Sequence, residues 1–443
     1  MSGTGMTAAE RRRIVQWVAE QVGGQRERLV ELCADLVAAP SVNPEGDTRQ
    51  VSAVVTRALI ERGVDCWTEA IDPSMPSVLA EIDSGVPGPH LVLNVHLDTM
   101  PPGDVELWSV PVWELTRRDG KLYGLGMGNM KGAVAAMITA AGLLASLKER
   151  WAGRITFTAV SDEVVFGENG AAFLLRNRPD LLGDAMICGE GPGFERLAIG
   201  EKGVLWLRLE ATGRPGHSSS VRRNESAAAR IAAAVQRVDA LIGTMAVPPQ
   251  ELTGMSATEP GFALSANVGT IRAGTFIGQV ATSAVAEVDL RLPPGLPADR
   301  VEDDVRALLA DIEGVTVTRI KGWDANWTSP ADVLTQAWDR AAAIVQERPS
   351  TYTIRLPASD ASRWRRRGVP ALCYGPQPTF SAGVDDHAVE EEVLRCARLY
   401  THAALEYLDP ARLESRTRRI PPNGAYISSG PDIRRFHRPE DPQ

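Results

Sequence analysis

No apolar run in this chain is long enough to cross a bilayer, and no basic-then-apolar segment opens it, so no membrane partner is expected. Residues 8–22 carry instead the pattern of a charged amphipathic helix. Cysteine is scarce and unpatterned. The five residues Cys33, Cys66, Cys188, Cys373 and Cys396 make neither a metal-binding spacing nor a disulfide framework. They read as buried thiols of a reducing compartment, which places the expectation in the cytoplasm. An excess of positive charge is missing as well: the formal net charge of -9 argues against a nucleic-acid partner. There is no internal repeat. The glycines at 124, 126, 128 and 132 follow neither the dinucleotide nor the P-loop spacing, which argues against a phosphate cradle.

What is present is the composition of a globular protein, 44% hydrophobic and 23% charged, in a chain of 443 residues. That length exceeds one ordinary core and predicts two domains. Helical patterns cover 8–22 and 25–38 and stop at Pro40-Ser-Val-Asn-Pro44. Strand and helix then alternate: strands at 90–96, 154–161 and 184–188, with a long helix over 131–149. This predicts an α/β domain with a mainly parallel sheet over residues 1–200. From 201 to 318 the texture changes to strand (204–212), helix (225–242), two strands (263–271, 281–292) and helix (297–312). That order suits a small inserted α+β domain. The α/β pattern resumes over 319–409 and closes with a helix at 389–408. Residues 410–443 lack apolar periodicity and read as a tail.

The chemistry-bearing residues fall where strands give way to loops, the usual position for ligands in open α/β sheets. His96 and Asp98 end an apolar strand two residues apart, so their side chains leave one face. Asn129 follows the glycine-rich loop and precedes a helix. Asp162 and Glu163 end a second strand, and Glu190 follows a third. The remaining histidines, His90 (read as a turn residue), His402 and His437, carry no such context and are expected to be structural or solvent-facing.

Ordered from end to end, the motifs are Pro40-Ser-Val-Asn-Pro44, His96-Leu-Asp98-Thr99, Gly124 to Gly132, Ser161-Asp-Glu163, Gly189-Glu190, Gly213-x-x-Gly216-His217-Ser-Ser219, Asn267-Val-Gly-Thr-Ile271, Asp289-Leu-Arg291, Ser359-Asp-Ala361, Gly375-Pro376 and His387-x-x-x-Glu391. In this order the chain resembles the zinc metallopeptidase and amidohydrolase family of acetylornithine deacetylase, succinyl-diaminopimelate desuccinylase, aminoacylase and the glutamate carboxypeptidases. The resemblance spans about residues 25–408. It implies a catalytic domain carrying an inserted lid and dimerisation domain, and a homodimer. It also implies that His96 and Glu190 ligate one metal and that His387 ligates a second. Asp98 would orient the His96 ring, Glu163 would activate water, and His217 would polarise the scissile carbonyl, often in the partner subunit's site. Arg291 and Asn267 are candidates for binding an amino-acid-like or acylated substrate. Arg355 is an alternative arginine, and either arginine could equally make a structural ion pair.

Two carboxylates of that pattern are absent. Asn129 stands where the bridging aspartate belongs, and Val164 where the glutamate ligand on the His387 side belongs. A one-residue slip, with Asp162 as base and Glu163 as ligand, is the alternative register. Two dications about 3.5 Å apart repel by roughly 19 kcal/mol at an effective dielectric of about 20, an illustrative upper figure. A neutral bridge offsets little of it, so a two-metal centre is not expected. One zinc, cobalt or manganese ion on His96 and Glu190, with Asn129 as a weak ligand, or no metal at all, is the expectation. Three functions remain open: a one-metal amide hydrolase; a metal-free cyclase, isomerase, lyase or acyl-transfer enzyme using Glu163 and the histidines as acid and base; and a non-catalytic binding protein.

Overall fold

The computed structural model describes residues 7–255, 260–377 and 383–412; most of the expected tail, and His437 with it, lies outside the described residues. The strand His90–His96 is buried along its whole length because both faces of the sheet are covered, which is why its sequence is nearly continuously apolar. It sits near the middle of a nine-stranded sheet and runs parallel to Arg154–Val160 on one side and Ala185–Cys188 on the other. Ala371–Cys373 extends the parallel core beyond Ala185–Cys188. The expected mainly parallel sheet holds at this centre. Toward the edges the sheet is mixed, with antiparallel pairs where Cys66–Glu69 meets Ser77–Asp83, Ser77–Asp83 meets Arg154–Val160, and Asn326–Trp327 meets Arg196–Glu201.

The helix Gly132–Ser146 packs against Glu390–Tyr407 and is apolar nearly all round, with thirteen of its fifteen residues buried. Each fully buried Leu or Ile there contributes roughly 1.5–3 kcal/mol of transfer free energy. Together with the preceding turn, Met127–Ser146 is long and apolar enough to cross a membrane, but 94% of it is buried inside the protein, as a core helix would be. His90 is corrected from a turn residue to the first residue of its strand. Its ring is buried with Nε2 2.7 Å from Thr156 Oγ1, and burial and Arg154 push it down to about 4. His402 is likewise interior.

The inserted domain is a four-stranded antiparallel sheet in the order Ser265–Ala273, Ser283–Leu292, Gly203–Thr212, Val315–Trp323. The last strand carries the domain past the boundary expected at 318, because Val315–Trp323 pairs with Gly203–Thr212 instead of joining the large sheet. One face alternates Leu205, Leu207, Leu209 and Ala211 against the helices Ala227–Asp239 and Ala298–Leu309, which supply Ile231, Val238, Val301 and Val305. Among the described residues, no helix of this domain packs over the opposite face. It carries Trp206, Asp289 and Lys321 in register.

Candidate active site

His96, Glu163 and Glu190 each follow or end a parallel strand of the central sheet, so the strand register brings their side chains to one edge. His96 Nε2 lies 3.7 Å from Glu163 Oε2 and 3.6 Å from Glu190 Oε1, and all three groups are buried. The ring is held from its other nitrogen: Nδ1 donates to the Asp98 carbonyl oxygen at 2.9 Å, while the Asp98 carboxylate stands 3.6 Å away. The orienting group is therefore the backbone of Asp98. Its carboxylate does something else. It accepts the backbone N–H of Glu163 at 3.1 Å and of Val164 at 2.9 Å, and the Asn43 amide at 2.8 Å, fixing the loop that carries Glu163.

That loop turns at Asp162, which takes a left-handed conformation (φ 61°), uncommon outside glycine. The turn is held by hydrogen bonds from Asn43 to Asp162 Oδ1 and from Asn169 to Oδ2. Asp162 is thereby committed to the loop, which favours Glu163 as the chemically available acid over the slipped register.

Arg355, at the end of Thr351–Arg355, is buried and forms an ion pair with Glu190 Oε2, and it also donates to the Ala358 carbonyl at 3.0 Å. It is a structural partner of Glu190 and so is not available to bind a substrate carboxylate. Asp360 completes the acidic surround; its Oδ1 accepts from Arg363 at 3.1 Å. Four acids close to one ring set the protonation states. Burial opposes charge on His96, but Glu163, Glu190 and Asp98 outweigh it and push the ring up to about 10. Burial, reinforced by Glu190, Asp360 and Asp98 and opposed by His96, holds Glu163 well above the usual carboxylate range. Burial also works against the Glu190 charge, yet Arg355 and His96 keep it below its ordinary value. Burial raises Asp360 to about 6, against the pull of Arg363.

The other expected residues are not gathered here. His387 is half-buried, with Nδ1 2.9 Å from the Asp385 carbonyl oxygen and its ring 5.0 Å from that of Tyr123. It is not part of the His96–Glu163–Glu190 group, whose ligand atoms lie within 4.8 Å of one another. Its neighbour Asp386 accepts from the N–H groups of Gly126 and Gly128, which ties that segment to the glycine-rich loop. His217 is exposed on the inserted domain, with Nδ1 2.9 Å from Ser219 Oγ. Arg291 pairs with Asp289 at 2.8 Å, and Asn267 is exposed on the adjoining strand. Asn43 and Asp360 gained no role from the sequence, although the motifs containing them were legible there; Arg355 takes the structural ion pair that was one of its two expected roles.

His96 Nε2, Glu163 Oε1 and Asn129 Oδ1 are buried with no hydrogen-bond partner. Once the Nε2 proton of His96 is displaced, its imidazole and the Glu163 and Glu190 carboxylates, with ligand atoms within 4.8 Å of one another, suit a cation. Asn129 is neutral, Val164 offers no donor atom, and the group within ligand distance does not include His387.

A histidine and carboxylates at the C-terminal edge of a parallel-centred sheet, with a small antiparallel domain inserted in the chain, define the architecture of a two-domain metallohydrolase. The chain belongs to peptidase family M20/M25/M40, whose model matches residues 92–406. It is similar to succinyl-diaminopimelate desuccinylase of Xanthomonas oryzae pv. oryzae, 31% identical over 63% of this chain and 72% of the relative. It is also similar to aminoacylase-1 of Sus scrofa, 25% identical over 82% and 90%. The crystal structure of human carnosine dipeptidase 1 has the same fold, with a TM-score of 0.68 and 16% identity over 89% of this chain and 99% of that one. The protein is a peptidase-fold hydrolase, of a family that generally binds zinc or similar metals.

Proposed function

We propose that this protein hydrolyses the amide bond of a small N-acyl amino acid or peptide-like substrate, with at most one metal ion. The observation that carries the reading is the buried group of His96, Glu163 and Glu190 with its unpartnered imidazole nitrogen. His96, Glu190 and Asn129 would hold the ion, which when bound supplies Lewis acidity toward the scissile carbonyl. Glu163 takes the proton of the attacking water on its unpartnered Oε1 and returns it to the leaving amine. A carboxyl raised by burial is suited to that exchange near neutrality. Asp98 positions Glu163 through two backbone hydrogen bonds. His217, exposed on the inserted domain, serves the site of a partner subunit in a homodimer. The relatives are named as hydrolases, which favours hydrolysis over cyclase, isomerase or lyase chemistry on this scaffold.

The test joins elemental analysis of the purified protein to turnover of N-acyl amino acids. No more than one tightly held equivalent of metal is expected, and Glu163→Gln is expected to lower kcat by about a hundredfold or more with little change in KM. Two tightly held equivalents, or an active Glu163→Gln enzyme, would overturn the reading.

A further inference from the structure

One buried acceptor in this site takes no part in the hydrolysis proposed above. His96 Nε2, Asn129 Oδ1, Glu163 Oε1 and Asp360 Oδ2 are all buried without a hydrogen-bond partner among the described residues. The proposed ion would meet His96 and Asn129, and the attacking water would meet Glu163. Nothing meets Asp360 Oδ2. Thr99 Oγ1 is also bare, but a neutral hydroxyl costs less to leave so than a carboxylate oxygen, whose desolvation penalty stands until a donor joins it.

Asp360 is held firmly. It is 2% exposed, and Arg363 grips its other oxygen, Oδ1, at 3.1 Å. The same guanidinium donates to the Gly167 carbonyl oxygen of the catalytic loop at 3.0 Å. On the other side Arg355 pairs with Glu190 and donates to the Ala358 carbonyl oxygen at 3.0 Å. Ser359, between them, is fastened to the Glu201 carboxylate by its N–H at 3.1 Å and its hydroxyl at 2.6 Å. One arginine thus ties Asp360 to the loop of Glu163 and the other ties its segment to Glu190. Glu163 feels the charge of Asp360, and Asp360 feels those of His96, Asp98 and Glu190. An oxygen fixed in this way and left bare is a preformed acceptor.

Charge and lone-pair geometry indicate the donor. Arg355 balances Glu190 and Arg363 balances Asp360, and a single dication would balance Glu163 and Asp98, so the missing donor needs no charge of its own. For Glu163 to return a proton to the leaving nitrogen, the lone pair of that nitrogen must face Glu163. Its N–H then points elsewhere and needs an acceptor.

We propose that Asp360 Oδ2 accepts the N–H of the scissile amide, a contact that turns the nitrogen lone pair toward Glu163 and confines the substrate class to secondary amides. The proposal rests on the amide-hydrolase reading for the bond that is cut. The contact strengthens as the nitrogen gains a proton and positive charge, so it favours the transition state over the bound substrate. Esters and tertiary amides, such as N-acylated prolines, have no N–H to offer.

The test compares N-acetyl-L-alanine with O-acetyl-L-lactate, which replaces the N–H by an oxygen of nearly the same size. Binding is read by calorimetry on the full chain carrying Glu163→Gln, so that the compounds are not consumed. The amide is expected to bind about tenfold or more tightly than the ester. The ratio is expected to collapse toward one when Asp360→Asn is added, a substitution that keeps the side-chain shape and removes the acceptor, with metal content unchanged by elemental analysis. A merely structural Asp360 would weaken both compounds alike and leave the ratio. Equal affinities before position 360 is altered, or a ratio that survives the alteration, would overturn the proposal, and the first of these comparisons does not depend on how the second variant folds. Loss of bound metal with Asp360→Asn would make the residue a holder of the ion and overturn it as well. A ratio that behaves as expected, in a protein that hydrolyses neither compound when unaltered, would sink the proposed function and leave the contact standing. Binding of neither compound would overturn both.

Discussion

The Asn129 amide oxygen and the His96 Nε2 are both buried without a partner, and in the proposed one-metal site a neutral residue at 129 supplies no charge to bridge a second ion. Restoring the missing carboxylates by Asn129→Asp with Val164→Glu should raise the bound metal toward two equivalents, read by elemental analysis. An unchanged content would count against Val164 as a ligand position. His402 offers a residue-level test away from the site. Burial, with Arg398 nearby, lowers its ring to about 4 from 6.5, so between those values the unfolded chain takes up a proton that the folded protein refuses. Stability is therefore lost as pH falls through that interval, by at most something on the order of 3 kcal/mol. Urea unfolding of His402→Leu should show a shallower loss over the same range, and an unaltered slope would refute the assignment. At this scale the sequence shows His96, Glu163 and Glu190 plainly, because each sits in a short ordered motif. The ion-pair role of Arg355 was one of two readings, but its partner was not legible, since Glu190 lies 165 residues away and only the sheet brings the two together.

Elements with one strong period were readable. The apolar run of His90–His96, the alternation of Gly203–Thr212 and the long helix Gly132–Ser146 fall within a few residues of expectation. Short strands such as Ala371–Cys373 and Asn326–Trp327 carry too few residues to declare a period, and their pairing fixes the mixed character of the sheet. The loop from Ser161 to Gly170 is the element on which the chemistry depends. A methyl group on Gly170 would lie 1.7 Å from the Ser161 carbonyl oxygen, so the two ends of the loop must separate to admit one. Gly170→Ala should destabilise the fold by about 1–3 kcal/mol and lower kcat, as Glu163 moves from His96. Thermal melts and initial rates check both, and a variant with unchanged melting and rate would show the loop to be more tolerant than its packing implies.

For the whole molecule, two domains were foreseeable from length and from the change of texture near residue 201. Their apposition was not, because the residues that meet between the domains, such as Phe166 and Trp323, belong to distant segments with no shared motif. In the proposed homodimer a site draws Glu163 from one subunit and His217 from the other. Mixing inactive Glu163→Gln and His217→Ala proteins under conditions that exchange subunits should restore turnover that neither has alone. A mixture as inactive as its components, with exchange confirmed by differential labelling, would place His217 in its own subunit's site or outside the reaction.

The ion pair of Arg355 with Glu190 has a consequence for how such an enzyme meets a changing supply of metal. A guanidinium is covalently part of the chain and stays charged at any pH the cell reaches. Chelators cannot strip it, and a competing ion cannot take its place. One of the four positive charges that two dications would bring is here installed when the protein folds, and it persists through metal starvation.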